Sequence, residues 1–518
     1  PPSVQAILAA RIDRLEPEAK ALLQVASVVG KELSEAALAL TAGHADPAAM
    51  EPALQPLLGG GFLYRAELYP RRLLAFRHPL TREVAYGGQL AERRAATHAA
   101  AARATIELEG ERLEELAGLV AHHMEEAGEE REAARWYSRA AHWAGHSQPR
   151  EAMRLWRRVT ELADGLERDE EAVQMSLFSR TLQLEYAWRL GIDREELESL
   201  VAEAEAIATE LEDAGALTML KLLVSARPGI AQSASEWVAA IGQALELAER
   251  SGEPALRIAV LAAGAYAHMC AGNLDRVEAT ADQLLELTAA DPDLGAGLVI
   301  ASPHAWGLTA KALALRERAE DPAAERLLDE ALVETAARGD LETESWALGL
   351  KAELIADRGD SEAALALALR NRELTDRLGD VFSQSVALTL LAYVRLEAGE
   401  PEAALADVER AEREYRAAMG TGGEMEAWRG TLRAKALLDC GRVEAALAAA
   451  AEATATARER EMGWQLPVAL CVLGMARAAG GQDGVGEALA EAAELATAGG
   501  HVMVLQRIEE ARTTLVTA

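Results

Sequence analysis

His78 is the side chain best placed to do chemistry. It stands one residue before Pro79 in Phe76-Arg77-His78-Pro79-Leu80-Thr81-Arg82-Glu83-Val84-Ala85-Tyr86, and proline suits the first position of a helix. A protonatable donor beside a helix N-terminus, where backbone N–H groups lack partners, suits an anionic phosphate. Imidazoles form the other candidate set: His142 and His146 share a helix face at i, i+4, and His122 and His123 lie in a preceding helix. No carboxylate or cysteine completes an ordered ligand set around them, so no metal is expected.

Other chemistry finds little footing. Gly30-Lys31 lacks the upstream glycine of a P-loop and is followed by Glu32, so it cannot cradle phosphate and position magnesium. No serine stands in a G-x-S-x-G context and no H-E-x-x-H occurs. The acidic pairs Glu125-Glu126 and Glu129-Glu130 fall at a turn and read as surface charge. Nine tryptophans, Trp136, Trp143, Trp156, Trp188, Trp237, Trp306, Trp346, Trp428 and Trp464, are spread over the helical part; packing between repeats is expected of them, with one or two lining a groove on a concave face. The chain given is therefore not expected to be an enzyme, and no cofactor of its own is expected.

The elements that position these residues follow from pattern. Helices are predicted from Ser3 to about Asp13 and from Pro17 to Val29, where Gly30 ends the second, then near Ser34–Thr41 and Pro47–Leu58. Gly59-Gly60-Gly61 breaks the run. Phe62-Leu63-Tyr64 and Leu73-Leu74-Ala75-Phe76 then flank a polar turn with Pro70-Arg71-Arg72 and predict a β-hairpin. Helices followed by such a hairpin read as a winged-helix domain over residues 1–90.

From about Leu90 the apolar period is helical throughout. Gly128-Glu129, Gly191-Ile192, Gly272-Asn273, Gly359-Asp360, Gly399-Glu400, Gly441-Arg442 and Gly481-Gln482 punctuate it, the last three steps at intervals near 40 residues. Ala133, Ala364, Ala404 and Ala446 each follow such a glycine by five residues, where a small side chain lets paired helices approach. Gly128, Ala133, Tyr137 and Ala140 resemble a tetratricopeptide repeat. The expected fold is mainly α: a small winged-helix domain, then an α-solenoid of tetratricopeptide-like hairpins over residues 91–518. Arg227-Pro228-Gly229 and the run Asp291 to Gly297 are loops between hairpins.

Half of the 518 residues are hydrophobic and only 4% aromatic. In a repeat array each unit buries itself on its neighbours, so this length does not demand several globules. The 11 basic and 10 acidic residues of positions 1–100 nearly cancel, so the formal charge of −32 belongs to the repeats. Such a surface repels phosphate backbones and anionic lipid, which excludes nucleic-acid and membrane-surface partners for the array and favours a basic or apolar one. Cys270, Cys440 and Cys471 have no CxxC spacing and sit in Ala/Leu-rich helices, as buried thiols of a cytoplasmic protein do. No signal peptide or membrane span is read. The opening Pro1-Pro2-Ser3 is read as that of a fragment of a longer protein.

Several stretches carry a family resemblance. Pro2-Ser3-Val4, Ala10-Arg11-Ile12-Asp13-Arg14-Leu15, Leu22 to Gly30, Phe76 to Leu80, and Leu119-Val120-Ala121-His122-His123 to Gly128 resemble the region after the ATPase module of bacterial STAND-type signalling ATPases, most closely those fused to an adenylate/guanylate cyclase. The resemblance implies a regulatory region that senses a protein or small-molecule effector on its repeats and relays binding to an upstream ATPase module holding ATP or ADP, with effector-driven self-assembly. It also implies that His78 contacts the β-phosphate of that ADP, as the histidine of the family's methionine-histidine-aspartate motif does; here Arg77 and Pro79 replace the flanking residues. The alternative is part of a LuxR-type or winged-helix transcriptional regulator, although Pro47–Leu58 carries no Lys or Arg to read a major groove.

Overall fold

The computed structural model describes residues 4–67, 72–145, 148–190, 194–225, 233–419 and 423–517. Ser3, Pro70, Arg71, His146, Gly191-Ile192 and Arg227-Pro228-Gly229 lie outside them, as does the side chain of Trp188. The fold is mainly α, with 26 α-helices and one three-stranded sheet among the described residues. They fall into two compact units, Pro1–Tyr186 and Ala187–Ala518. No described helix is long and apolar enough to cross a membrane.

In the first unit, helices Val4–Asp13 and Pro17–Val29 form as the pattern predicts, and the Gly30 N–H closes the second on Ala26 O. Ser34 caps helix Glu35–Thr41 by accepting from the Ala37 N–H at 3.0 Å. The segment expected as one helix from Pro47 is a 3-10 turn, Pro47–Met50, followed by helix Glu51–Gly59. Three short strands follow the order β1(Glu32–Ser34), β3(Leu73–Phe76), β2(Leu63–Glu67), all antiparallel, with Leu33 opposite Leu74 and Leu63 opposite Phe76. Strand β1 joins the hairpin because Leu33 is apolar at the one position that faces the core, where Leu23, Leu54, Leu57 and Leu74 are fully buried. Helix Pro79–Gly87 then leads into helix Ala91–Leu108, which packs on Glu35–Thr41 and Pro17–Val29, and on into the first repeat hairpins.

The second unit is a succession of antiparallel helix pairs in which each helix packs on the next. Ala364, Ala404 and Ala446 are fully buried where paired helices cross. Many turns share one device. At Gly359 the backbone adopts φ +84° and the Asp360 N–H reaches back to Ile355 O, the six-to-one bond of a Schellman ending. Glu212, Ala319 and Glu461 adopt the same positive φ at turns that carry no glycine.

Alternate helices differ in character. Pro254–Cys270, Pro303–Glu317, Leu341–Asp357, Val381–Glu397 and Glu426–Asp439 are buried on nearly every side, whereas Leu274–Thr288, Asp321–Arg338 and Ser361–Leu378 bury one stripe. A helix apolar all round belongs to an interior. The first set therefore lines the inside of the superhelix.

Candidate functional site

The inside of residues 187–518 is closed by contacts between segments far apart in sequence. The Ala234 N–H donates to Arg460 O at 2.9 Å, and Ser235 Oγ hydrogen-bonds Glu461. Gly272 lies so near Gly463 that a Cβ on Gly272 would stand 2.5 Å from the Gly463 carbonyl carbon, and one on Gly463 would overlap Ala271 O. Glycine is required on both sides because the backbones touch. His501 is buried in the same contact, with Nε2 3.2 Å from Gly272 O and Nδ1 3.3 Å from Glu317. Both ring nitrogens face acceptors.

Inside the superhelix lies a partly open chamber with a cavity volume of about 50 Å3. Its walls are aromatic and aliphatic: Tyr266, Trp306, Trp346, Trp428 and Trp464 stand with Leu350 and Leu390. Trp306 and Trp346 meet edge to face at 5.9 Å, Tyr266 and Trp346 at 5.6 Å, and Trp428 and Trp464 lie 5.1 Å apart. Arg316 and Glu353 complete the lining.

Those two belong to a buried ion network. Arg316 donates to Glu353 at 3.0 Å, Asp357 at 2.7 Å and Glu317 at 3.3 Å, and Arg507 to Asp357 at 3.0 Å and Glu397 at 3.2 Å. The Tyr393 hydroxyl donates to Asp357 and accepts from both arginines. Burial opposes charge throughout. It is overcome at Asp357, where Arg316 and Arg507 hold the carboxyl below its usual range, and at Glu317, where His501 and Arg316 do so. At Glu353 burial wins, aided by the charges of Asp357 and Glu317 against that of Arg316, and the carboxyl is pushed up to about 7.

The first unit places the sequence-derived candidates elsewhere. His78 is exposed at the N-cap of helix Pro79–Gly87 and its side chain makes no capping hydrogen bond. Tyr86, at the other end of that helix, belongs to a relay whose unexpected member is the buried His98. His123 Nδ1 lies 2.9 Å from His98 Nδ1, His98 Nε2 lies 3.0 Å from Tyr86 Oη, and Tyr86 donates to Glu126 at 3.2 Å. With both histidines neutral, protons point one way along the chain: His123 to His98, His98 to Tyr86, Tyr86 to Glu126. Burial pushes His98 down to about 4 and, with the charges of His98 and His122, His123 down to about 3.

His142 does not join His122 and His123; it packs against Trp156 and Phe178 and donates to Ser138 O. No group able to hold a metal occurs among the described residues. Glu125 is not solvated turn charge: it accepts from the Tyr137 hydroxyl at 2.8 Å and pairs with Arg158, so it ties two repeats together. Cys270 and Cys471 are buried as expected, and Cys440 is half-buried. The loop Asp291 to Gly297 lines no part of the chamber; Gly295 packs on Ile258.

Sequence reasoning missed the ion network, although a signal exists. Glu317, Asp357 and Glu397 recur at the repeat interval, each the last residue of a helix buried on nearly every side. An acidic residue at the negative end of a helix macrodipole is unfavourable unless a cation meets it.

No protein-family model matches the sequence, and comparison with curated proteins gives no match. Solved structures do resemble it. A Rap protein complexed with Competence and Sporulation Factor aligns with a TM-score of 0.51 at 12% identity, over 74% of this chain and 99% of that one. A STAND protein with a tetratricopeptide repeat sensor from Pyrococcus horikoshii aligns at 0.37 and 13% identity, over 80% of this chain and 65% of that one. Yeast Tom70 aligns at 0.37 and 13%, over 79% and 91%. The class defined by the fold is the tetratricopeptide-like helical repeat protein.

Proposed function

We propose that this chain is a non-catalytic sensor and protein-interaction region of a STAND-type signalling ATPase linked to an adenylate/guanylate cyclase, and that the chamber in residues 187–518 receives its effector, a protein segment or a small molecule. The observation that carries the reading is the aromatic chamber inside the superhelix, concave and apolar as ligand sites largely are. An effector that fits the closed superhelix better than an opened one shifts that equilibrium by its difference in affinity. Ligand screening by thermal unfolding tests this. Effectors raise the midpoint of the wild-type chain and leave that of a folded Leu313→Trp variant, whose indole fills the chamber, unchanged; equal shifts in both place the binding elsewhere.

The nucleotide half of the proposal keeps residues 1–90 as a winged-helix domain, with 91–518 as the repeat arm, and gives His78 the β-phosphate of ADP in an ATPase module. Exposure of the imidazole at a helix N-terminus supports it, and the relay from Tyr86 through His98 to His123 gives that helix a rigid tie to the first repeat. In the parent ATPase, His78→Ala is expected to lower ADP retention; unchanged retention removes the role. A DNA-binding role is not favoured, since Arg65 on β2 is engaged by Glu35 at 3.1 Å and Glu51 at 2.8 Å.

A further inference from the structure

We propose that the groove between helix Val502–Thr517 and the inner helices of residues 187–518 is a second binding site, which takes a short basic peptide segment with cationic and apolar side chains side by side. It is distinct from the chamber: of the residues that line the groove, Trp428 alone also lines the chamber.

The groove has a cavity volume of about 480 Å3, within the range of ligand sites. Met503, Arg507, Glu510 and Thr514 line it at steps of four, three and four, so it follows one face of the last helix for about 16 Å. That length matches about five residues of extended chain. The opposite wall comes from helices Val381–Glu397, Glu426–Asp439 and Gln465–Ala479.

Charge selects the segment. Asp357, Glu397 and Glu510 face Arg507 and Lys435 in the lining. Both cations are engaged: Lys435 pairs with Asp439 one turn along its helix, and Arg507 is shared by Asp357 at 3.0 Å and Glu397 at 3.2 Å. The carboxylates have capacity left. Glu397 keeps 34% of its side chain in solvent, and the exposed Glu510 carboxylate has no partner among the described residues. Asp357 and Glu397 are the last residues of their helices, which brings the negative ends of two helix dipoles to the same place.

Leu396, Val472, Met475 and Met503 supply the apolar part of the lining, and methionine adapts to apolar groups of differing shape. A cationic side chain next to an apolar one meets both surfaces. An acidic segment would be repelled by Glu397, Glu510 and the helix ends, and a wholly apolar one would cover carboxylates without pairing them. The chain itself displays the preference, since Asp357 and Glu397 already hold a guanidinium carried one turn from Met503 and Val504.

Calorimetric titration of the full chain with the acetylated, amidated pentapeptide Leu-Lys-Leu-Lys-Leu, and with counterparts carrying glutamine or glutamate for lysine, tests the inference. The lysine peptide is expected to bind about ten-fold more tightly than the glutamine peptide, and the glutamate peptide most weakly. Glu510→Gln is expected to weaken the lysine peptide about three-fold, and Glu397→Gln combined with it about ten-fold. Glu491→Gln, at an acidic residue outside the groove, is the control; an equal loss there means attraction to the acidic surface at large and overturns the site. Should the double variant not fold, Glu510→Gln and Gln506→Trp, which narrows the groove from an exposed position, decide: the proposal requires weaker binding in both, and unchanged binding in either contradicts it. Loss of binding in Leu313→Trp with none in Gln506→Trp places the peptide in the chamber, which overturns the groove and sustains the effector reading. Equal affinity for the three peptides, or binding of none, overturns the groove and leaves the chamber reading standing.

Discussion

Beside the ion pairs of Glu35 and Arg180, residues 1–186 bury one pair of titratable groups as neutral partners, His98 and His123, which pass a hydrogen bond to Tyr86 and so need no counter-charge. Residues 187–518 bury them as ions, with Arg316 and Arg507 set among Glu317, Glu353, Asp357 and Glu397. A neutral relay fixes geometry and asks nothing of a ligand. An ion network in which Arg316 is shared among three carboxylates is stable only conditionally, because its balance depends on protons. In the function proposed above, the first region transmits and the second recognises.

The contrast can be broken most forcefully at Arg316. Replacing it with alanine strands three buried carboxylates, and a loss of about 3–5 kcal/mol is expected in denaturant unfolding of the second unit; a loss near that of an exposed arginine would mean that the network is wet. Next comes closure. Gly463→Val forces Ala271 and Gly463 apart, with an expected loss of about 1–3 kcal/mol and faster amide exchange at Ala234, whose N–H bonds Arg460 across the contact.

The pH response separates the regions by sign. His98 and His123 have folded values below the ordinary histidine value, so unfolding takes up protons and the fold loses stability as pH falls from about 6.5 towards 4, by about 1.4 kcal/mol per pH unit for each proton. Glu353 lies above the ordinary carboxyl value, so its contribution is full below about 4.5 and is lost as pH rises through 7. The smallest effect is expected at an exposed pair. Removing Arg458, which meets Glu491 with about half of each side chain in solvent, changes stability by about 0–1 kcal/mol in the same unfolding assay.

Much of the fold was legible because its causes are local. Glycines at positive φ, and alanines five residues after Gly128, Gly359, Gly399 and Gly441, are written into the sequence where those helix pairs turn and cross. Strand β1 was not legible, since Glu32-Leu33-Ser34 is too short to show alternation and pairs with residues some 40 positions away. Nor were the turns at Glu212, Ala319 and Glu461, where a residue with a side chain takes the positive φ that glycine adopts freely. The chamber was half legible. Its tryptophans were visible, but the contact that closes it joins Ser235 to Glu461 and Gly272 to His501, and no local pattern reports such pairing. His98 escaped notice as a lone imidazole in an alanine-rich helix; only the fold brings it to His123.

Site-resolved amide exchange at pH 7 and pH 5, corrected for intrinsic rates, tests the opposition between the two regions most directly. The account predicts that helix Ala117–Glu126, which carries His123, loses protection at pH 5 while helix Leu341–Asp357, which carries Glu353, holds or gains it. Asp407, Glu412 and Glu424, also pushed up by burial, act with Glu353 in the second unit, against His268, which burial pushes down. Parallel loss in both helices, or a response at Leu341–Asp357 that Glu353→Gln leaves intact, would contradict it.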